Sequence, residues 1–225
     1  MTDARTEFWS SSKVASRYDR VVDLQFGGKT RQLVRARLGR EGQLGSVAEF
    51  GCGTGYFTGI LAARSDHVVA TDASPAMVEL ASERVLEPNV TFRVEDCQHT
   101  SFPDGAFDTV FLGLVLHFTD PEQTIAEMHR VLKPGGLLIA VNLDPKALAG
   151  FDRLRARVRV LYEGICGYRT KPPKGLIRRV LSGHELCDLL VQSGFEVLEM
   201  DVIRDPSRSS NIPVEYVRAA RPVQH

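Results

Sequence analysis

From residue 46 onward, short β-branched and apolar runs alternate with stretches whose apolar residues recur at helical spacing. Ser46–Phe50 (SVAEF) predicts a strand that ends in glycines, and Phe57–Arg64 a helix behind it. His67–Thr71 predicts a second strand. Ser74-Pro75 then starts a helix, serine as N-cap and proline at the first helical position, which runs to about Leu86 before Pro88. Val90–Val94 predicts a third strand. Phe107–Leu116 is a longer apolar run, the pattern of a central strand buried on both faces. Asp120-Pro121-Glu122-Gln123 opens a helix with Gln123 at the capping-box position; Lys133-Pro134-Gly135-Gly136 closes it, and Leu137–Val141 predicts a fifth strand. Later, Ser182 and Glu185 have capping-box spacing and start a helix to about Ser193, ended by Gly194. Phe195–Ile203 and Val214–Ala219 predict two strands joined by the polar turn 205–211. So short a connection makes them a hairpin, with the last strand antiparallel to its neighbour. Strand–helix alternation of this kind predicts an α/β fold, a doubly wound and mainly parallel sheet covered on both faces.

Composition narrows this picture without changing it. The 225 residues are 43% hydrophobic and 25% charged, ordinary values for one globular domain. No apolar run nears the roughly 20 residues of a membrane span, so no membrane partner is expected. MTDARTEFWSSSK has no apolar core of a secretory signal. Cys52, Cys97, Cys166 and Cys187 are far apart, which points to reduced thiols in a cytoplasmic protein, with neither a disulfide framework nor a metal site. Net charge is zero but unevenly spread: residues 46–150 carry 14 acidic and 6 basic side chains, residues 151–180 carry 9 basic and 2 acidic. The expected organisation is one domain in four parts. These are a helical arm or lid (1–45), an α/β core (46–143), a helical insert capping the substrate (144–181), and a helix with a hairpin completing the sheet (182–225).

The sharpest local feature is Glu49-Phe50-Gly51-Cys52-Gly53-Thr54-Gly55, between the first strand and the first helix of the core. Glycines there let the backbone turn tightly and approach a ligand at a helix N-terminus. Started at Gly51, the dinucleotide fingerprint G-x-G-x-x-G needs a glycine where Tyr56 stands, which counts against a nicotinamide or flavin enzyme. Asp72 closes the second strand 23 positions after Glu49, near the offset at which an acid holds ribose hydroxyls. Its alternative is a capping or surface carboxylate. At the end of the third strand Asp96 is placed to accept from an adenine amino group and the Cys97 N–H to serve a ring nitrogen, unless Asp96 is simply a solvated loop acid.

Taken together, VAEFGCGTG, ATDASPAMVELA, VEDCQHTSFPDGAFDTVF and RVLKPGGLLIAVN resemble the class I S-adenosylmethionine-dependent methyltransferases, in particular the small-molecule branch with the ubiquinone/menaquinone-type enzymes. The resemblance runs from Val47 to Leu143, with Gly183–Ile203 as a further segment, about half the chain. It implies a seven-stranded Rossmann-like sheet with the seventh strand inserted antiparallel, and S-adenosylmethionine as cofactor with S-adenosylhomocysteine as product. By the same resemblance Glu49, Gly51, Cys52, Gly53 and Gly55 belong to the cofactor loop, Asp72 takes the ribose diol, Ala73 and Met77 flank the adenosine, and Asp96 and Cys97 take the adenine. Leu112-Gly113-Leu114 runs beneath the methionine amino group, and Tyr18 covers the cofactor or packs an N-terminal helix.

Methyl transfer from a sulfonium is an in-line displacement with a neutral leaving group, so it asks mainly for positioning and for a base only when the nucleophile carries a proton. His117, just after the fourth strand, is the candidate base; its alternative is a packed or cofactor-lining histidine. In the insert, Phe151, Leu154, Val158, Leu161, Tyr162 and Ile165 share one helical face. Arg153 and Arg157 fall on the opposite side, with Arg155 and Arg159 flanking. Either this is an amphipathic helix with a solvated basic side, or a lid in which Arg153 and Arg157, with Arg169, Lys171 and Lys174, meet a substrate carboxylate or phosphate, while Tyr162, Tyr168 and Ile165 supply the apolar wall of the pocket. The expected function is methyl transfer to a small-molecule acceptor by a monomer or homodimer. A nucleic-acid (tRNA) methyltransferase is the first alternative, disfavoured because Leu116-His117-Phe118-Thr119 replaces the Asn/Asp-Pro-Pro-aromatic motif of amino-directed DNA enzymes. A non-catalytic S-adenosylmethionine-binding protein is the second. Arsenic methylation has too few cysteines left, and a nicotinamide dehydrogenase comes last.

Overall fold

A computed structural model describes residues 4–26, 28–148, 150–168, 175–205 and 212–223. Seven strands form one sheet: β1 (Ser46–Phe50), β2 (His67–Asp72), β3 (Val90–Val94), β4 (Phe107–Gly113), β5 (Leu132–Leu143), β6 (Glu196–Ile203) and β7 (Val214–Ala220). Their order is β3-β2-β1-β4-β5-β7-β6. β1 to β5 run parallel, and β7 lies antiparallel between β5 and β6. The hairpin expected from the short 205–211 connection therefore also carries the last strand into the sheet ahead of β6. The sheet is of the Rossmann-like methyltransferase type.

Alternation along the central strands feeds two cores. On one face Val47, Phe111, Ile139 and Tyr216 pack with Leu61 and Leu38. On the other Ala48, Phe50, Val110, Leu112 and Leu138 pack with Ile125, Met128 and Leu186. Each fully buried Leu or Phe contributes about 1.5–3 kcal/mol, so one residue of register slip would move the whole set to the wrong layer. The covering helices are α1 (Ala4–Trp9), α2 (Ser12–Ala15), α3 (Tyr18–Phe26), α4 (Gly28–Leu38), α5 (Thr58–Ala62), α6 (Pro75–Arg84), α7 (Pro121–Val131), α8 (Gly150–Tyr168) and α9 (Gly183–Gln192).

Three local expectations change. β4 stops at Gly113, short of Leu116, because Leu114 adopts φ +62°, although its N–H still donates to the Val141 carbonyl of β5 (2.9 Å); a 3₁₀ turn over Leu116–Phe118 follows. β5 starts at Leu132, ahead of Leu137. Leu132 pairs with Phe107, and Gly135 and Gly136 bond to the backbone of Arg221 beyond β7, so the Lys-Pro-Gly-Gly segment continues the sheet. At α7, Asp120 caps Gln123, but the Asp120 N–H goes to Gln98 Oε1 (2.9 Å), a side chain from the loop after β3, in place of Gln123. The box at Ser182 and Glu185 forms in full.

The insert helix lies opposite to its expected orientation. Ala156 faces the core, while Phe151, Leu154, Val158, Leu161 and Tyr162 point outward, 57–72% exposed. The solvated side is thus the apolar stripe. Arg153 turns back to the preceding turn, donating to the carbonyls of Leu148 and Lys146 (both 2.7 Å). Among the described residues no helix is long and apolar enough to cross a membrane.

Candidate active site

At the C-terminal edge of the sheet, a cavity of about 280 Å³ opens beside the loop after β1. Open α/β sheets place ligands at this edge, at the switch point flanked by β1 and β4. Its floor is the glycine loop. Gly51 has φ +70° and its Cα faces Val115; a Cβ there would overlap Val115 Cγ2, so no other residue fits without displacement. Gly53, φ +54°, faces the ring of Tyr18, with 3.5 Å between that ring and a built Cβ. Gly55 packs instead against Ala81 and Val85 of the α6 region, and is a packing glycine.

Asp72 ties the floor to the next unit. Its Oδ2 accepts from the Gly53 N–H (3.0 Å) and its Oδ1 from the Ser74 N–H (2.9 Å). A carboxylate has about four acceptor positions, so two stay open toward the cavity that Asp72 lines. Burial raises its pKa, opposed by those two N–H groups. At the far rim Asp96 Oδ1 accepts from the Gln98 N–H (2.9 Å), shaping the turn that presents Glu95, Asp96, Cys97 and Gln98 to the cavity. Burial pushes the Cys97 thiol up to about 12, so it stays a neutral wall atom.

The roof comes from the N-terminal arm. Trp9 packs edge-on against Tyr18 (5.6 Å) and Phe118 (5.3 Å), and its carbonyl accepts from Ser74 Oγ (2.9 Å). Burial pushes the Tyr18 hydroxyl up to about 12. Asp19 fastens the arm, accepting from Thr54 Oγ1 of the glycine loop (2.8 Å), Arg31 (2.9 Å) and Arg84 (2.6 Å). Burial opposes its charge, but these donors win and hold Asp19 below the usual carboxylate range. The remaining wall is Leu114, Val115, Phe118 and Thr119, with Leu176 and Arg178 from the segment after α8. The Arg178 N–H donates to the His117 carbonyl (2.8 Å), which locks that segment to the 3₁₀ turn.

Residues 48–140 match the family model described as Methyltransferase domain. The chain is 29% identical to malonyl-[acyl-carrier protein] O-methyltransferase of Laribacter hongkongensis, over 87% of this chain and 65% of the relative. It is 34% identical to demethylmenaquinone methyltransferase of Thermus thermophilus, over 62% of this chain and 67% of the relative. The chain belongs to the class I S-adenosylmethionine-dependent methyltransferases. In fold it matches the N-methyltransferase NodS of Bradyrhizobium japonicum, solved with S-adenosylhomocysteine, at TM-score 0.64 and 18% identity, over 90% of this chain and 91% of that one. The chain spans about two-thirds or less of the length of several curated relatives it matches.

The cofactor of this methyltransferase family is S-adenosylmethionine, and the cavity fits it on its own terms: a floor free of Cβ atoms, a carboxylate with open acceptor positions, and acidic groups for a cationic ligand. Of the residues picked from sequence, Tyr18, Gly51, Gly53, Asp72, Ala73, Met77, Asp96, Cys97, Gly113 and Leu114 line it together. Glu49, Cys52, Gly55 and Leu112 stand behind the lining. Glu49 is buried under the loop, accepts from Thr58 Oγ1 (2.6 Å), and is pushed by burial up to about 8. Burial likewise drives the Cys52 thiol upward.

His117 stands off the cavity. Its ring lies against Phe118 (3.9 Å), Nδ1 is buried without a partner among the described residues, and burial pushes its pKa down to about 4. Arg153, Arg157 and Tyr162 also lie away from the lining; the side chains of Tyr168 and Ile165, with Arg169, Lys171 and Lys174, lie outside the described residues. Sequence reasoning missed Trp9, Gln98, Phe118, Leu176 and Arg178. An adjacent Phe-Trp pair in an otherwise polar N-terminus was the one available signal for the roof.

Proposed function

We propose that the chain transfers a methyl group from S-adenosylmethionine to a small-molecule acceptor that carries a carboxylate or a comparable anion. The observation that carries the reading is Asp72: it joins the glycine loop to the start of α6 and still offers acceptor positions to the cavity. In this reading it takes the ribose diol, Ala73 and Met77 flank the adenosine, and Asp96 with Cys97 takes the adenine. The bound cofactor supplies a methyl on a sulfonium, already activated by its positive charge.

The chain then has to orient and exclude water. Trp9 and Tyr18 roof the cavity, Phe118 and Leu114 stand in its wall, and Gly113 brings backbone close. Arg178 is the cation on the apolar side of the lining, where Val115, Phe118 and Leu176 also stand. It stands 127 positions after Gly51 in sequence but shares the cavity with the glycine loop. A carboxylate acceptor is deprotonated at neutral pH and needs no base, which agrees with a His117 ring held neutral and off the lining. Arg178 is thus the residue to which the substrate role passes from Arg153 and Arg157.

The two relatives named above differ in acceptor, malonyl-acyl carrier protein and demethylmenaquinone. Arg178 favours an acidic acceptor of the first kind. Calorimetry with S-adenosylhomocysteine, S-adenosylmethionine and NAD tests the cofactor: the first two bind, NAD does not, and Asp72→Ala weakens both. NAD binding with no S-adenosyl binding reverses the assignment. Methyl transfer to malonyl-acyl carrier protein compared with demethylmenaquinone tests the acceptor, and Arg178→Ala should raise KM for the acidic acceptor while S-adenosylhomocysteine affinity holds.

A further inference from the structure

The outward face of α8 has no role in the cavity, yet it is the longest run of exposed apolar side chains in the described structure. Phe151, Leu154, Val158, Leu161 and Tyr162 form one stripe, 57–72% exposed, opposite the buried Ala156. At about 100° per residue, Arg155 stands at one border of that stripe, and Arg157, expected on the opposite side, falls at its other border, since the buried Ala156 marks the side that faces away. The Arg155 guanidinium lies over the Phe151 ring at 5.6 Å, so its stem runs along the apolar surface with the charge at the edge. Residues 151–180 carry nine basic and two acidic side chains against a chain of zero net charge.

We propose that this face of α8 docks on an anionic lipid bilayer, lying in the headgroup plane. Apolar side chains on one face with arginines along both borders are what an interfacial helix needs: the stripe enters the acyl boundary and the cations stay with the phosphates. The bilayer is favoured over a second copy by charge. Two such faces packed together would set arginine borders against arginine borders, with Asp152 and Glu163 as the only acids in the helix sequence to offset them. A convex ridge also seats in a fluid surface without a matching groove. The inference does not depend on the methyl-transfer reading, and the binding of S-adenosylhomocysteine separates the two.

The test is flotation of the full chain with vesicles of phosphatidylcholine alone and with about one-third phosphatidylglycerol. The wild type should float with the anionic vesicles, stay behind with the neutral ones, and be released by salt. Leu154→Ser with Leu161→Ser should abolish flotation, and Arg155→Gln with Arg157→Gln should weaken partitioning about thirty-fold. Both variants should keep S-adenosylhomocysteine affinity within about two-fold, which shows the fold intact. Wild-type protein that fails to float, or variants that float equally, overturns the proposal. So does a lipid-free dimer, seen by analytical ultracentrifugation, that the leucine variant loses: this assigns the face to a second copy. Binding to acyl carrier protein that the same variant loses, without flotation, assigns it to a protein partner and equally overturns it.

Discussion

Gly51→Ala isolates what the glycine loop demands of its backbone. The position has φ +70°, and an alanine there costs about 1–2 kcal/mol from the left-handed conformation alone. The added Cβ would also overlap Val115 Cγ2, and would sit 3.1 Å from its Cγ1 and 3.3 Å from its Cβ, inside the normal separation of about 3.5–4.0 Å. Val115 opens the 3₁₀ turn that holds Phe118 in the cavity wall, so it cannot retreat freely. Overpacking of this kind costs about 1–3 kcal/mol, for a total of roughly 2–5. Urea unfolding followed by far-ultraviolet circular dichroism reads the loss, provided the slope is unchanged. A cycle with Val115→Ala separates the two parts. The pair should show a coupling of about 1–3 kcal/mol, the share owed to contact, while the conformational share persists in the double variant. S-adenosylhomocysteine affinity should follow, falling in Gly51→Ala and partly recovering when Val115 is shortened. Coupling below about 0.5 kcal/mol, or a single variant as stable as wild type, refutes the argument.

Asp72→Asn replaces one acceptor oxygen by an amide donor facing either the Gly53 or the Ser74 N–H, so S-adenosylhomocysteine affinity in calorimetry should fall at least about ten-fold; unchanged affinity removes Asp72 from the cofactor site. Glu127 should stabilise the fold above the ordinary carboxylate range and lose that effect in acid. Burial opposes its charge, but Arg130 and Thr100 hold its pKa down to about 2, so the stabilisation disappears as pH falls from about 4.5 to 2. Glu127→Gln should therefore cost about 1–3 kcal/mol at pH 7 and nothing near pH 2, with solvent beside Arg130 screening the upper figure; urea midpoints across that range check it, and a constant gap counts against it. Glu49 has the opposite sign: the folded chain keeps a proton there that the unfolded chain has released, so wild-type stability should fall as pH rises from about 5 to 8. Glu49→Gln should flatten that slope in the same assay.

Much of the fold was legible because it rests on local chemistry. β1 and β3 fall where the apolar runs place them, and Ser74 and Ser182 cap the helices they announce. The glycine loop and Asp72 were legible for the same reason: the turn and the carboxylate at the end of the next strand are separated by one unit of the alternating pattern. The parts that escaped depend on contacts distant in sequence. Leu114 reads as a strand residue, yet its positive φ ends β4 early, a conformation held while its N–H still bonds to Val141 of β5. Trp9, Phe118 and Arg178 come from three separate regions, and nothing within each segment marks it as a neighbour of the glycine loop. The α8 stripe shows the limit from the other side. Periodicity finds an apolar face, but it does not say whether that face turns inward, and here the small Ala156 does so instead.

Trp9 is the only tryptophan among the 225 residues, and it is built into the roof of the cavity. Its emission therefore comes from a single place, the lining of the cavity a nucleoside would enter. The chain carries its own label-free optical reporter: intensity and colour should shift as the site fills, and stopped-flow mixing would time the arm settling over a nucleoside without any dye or tag.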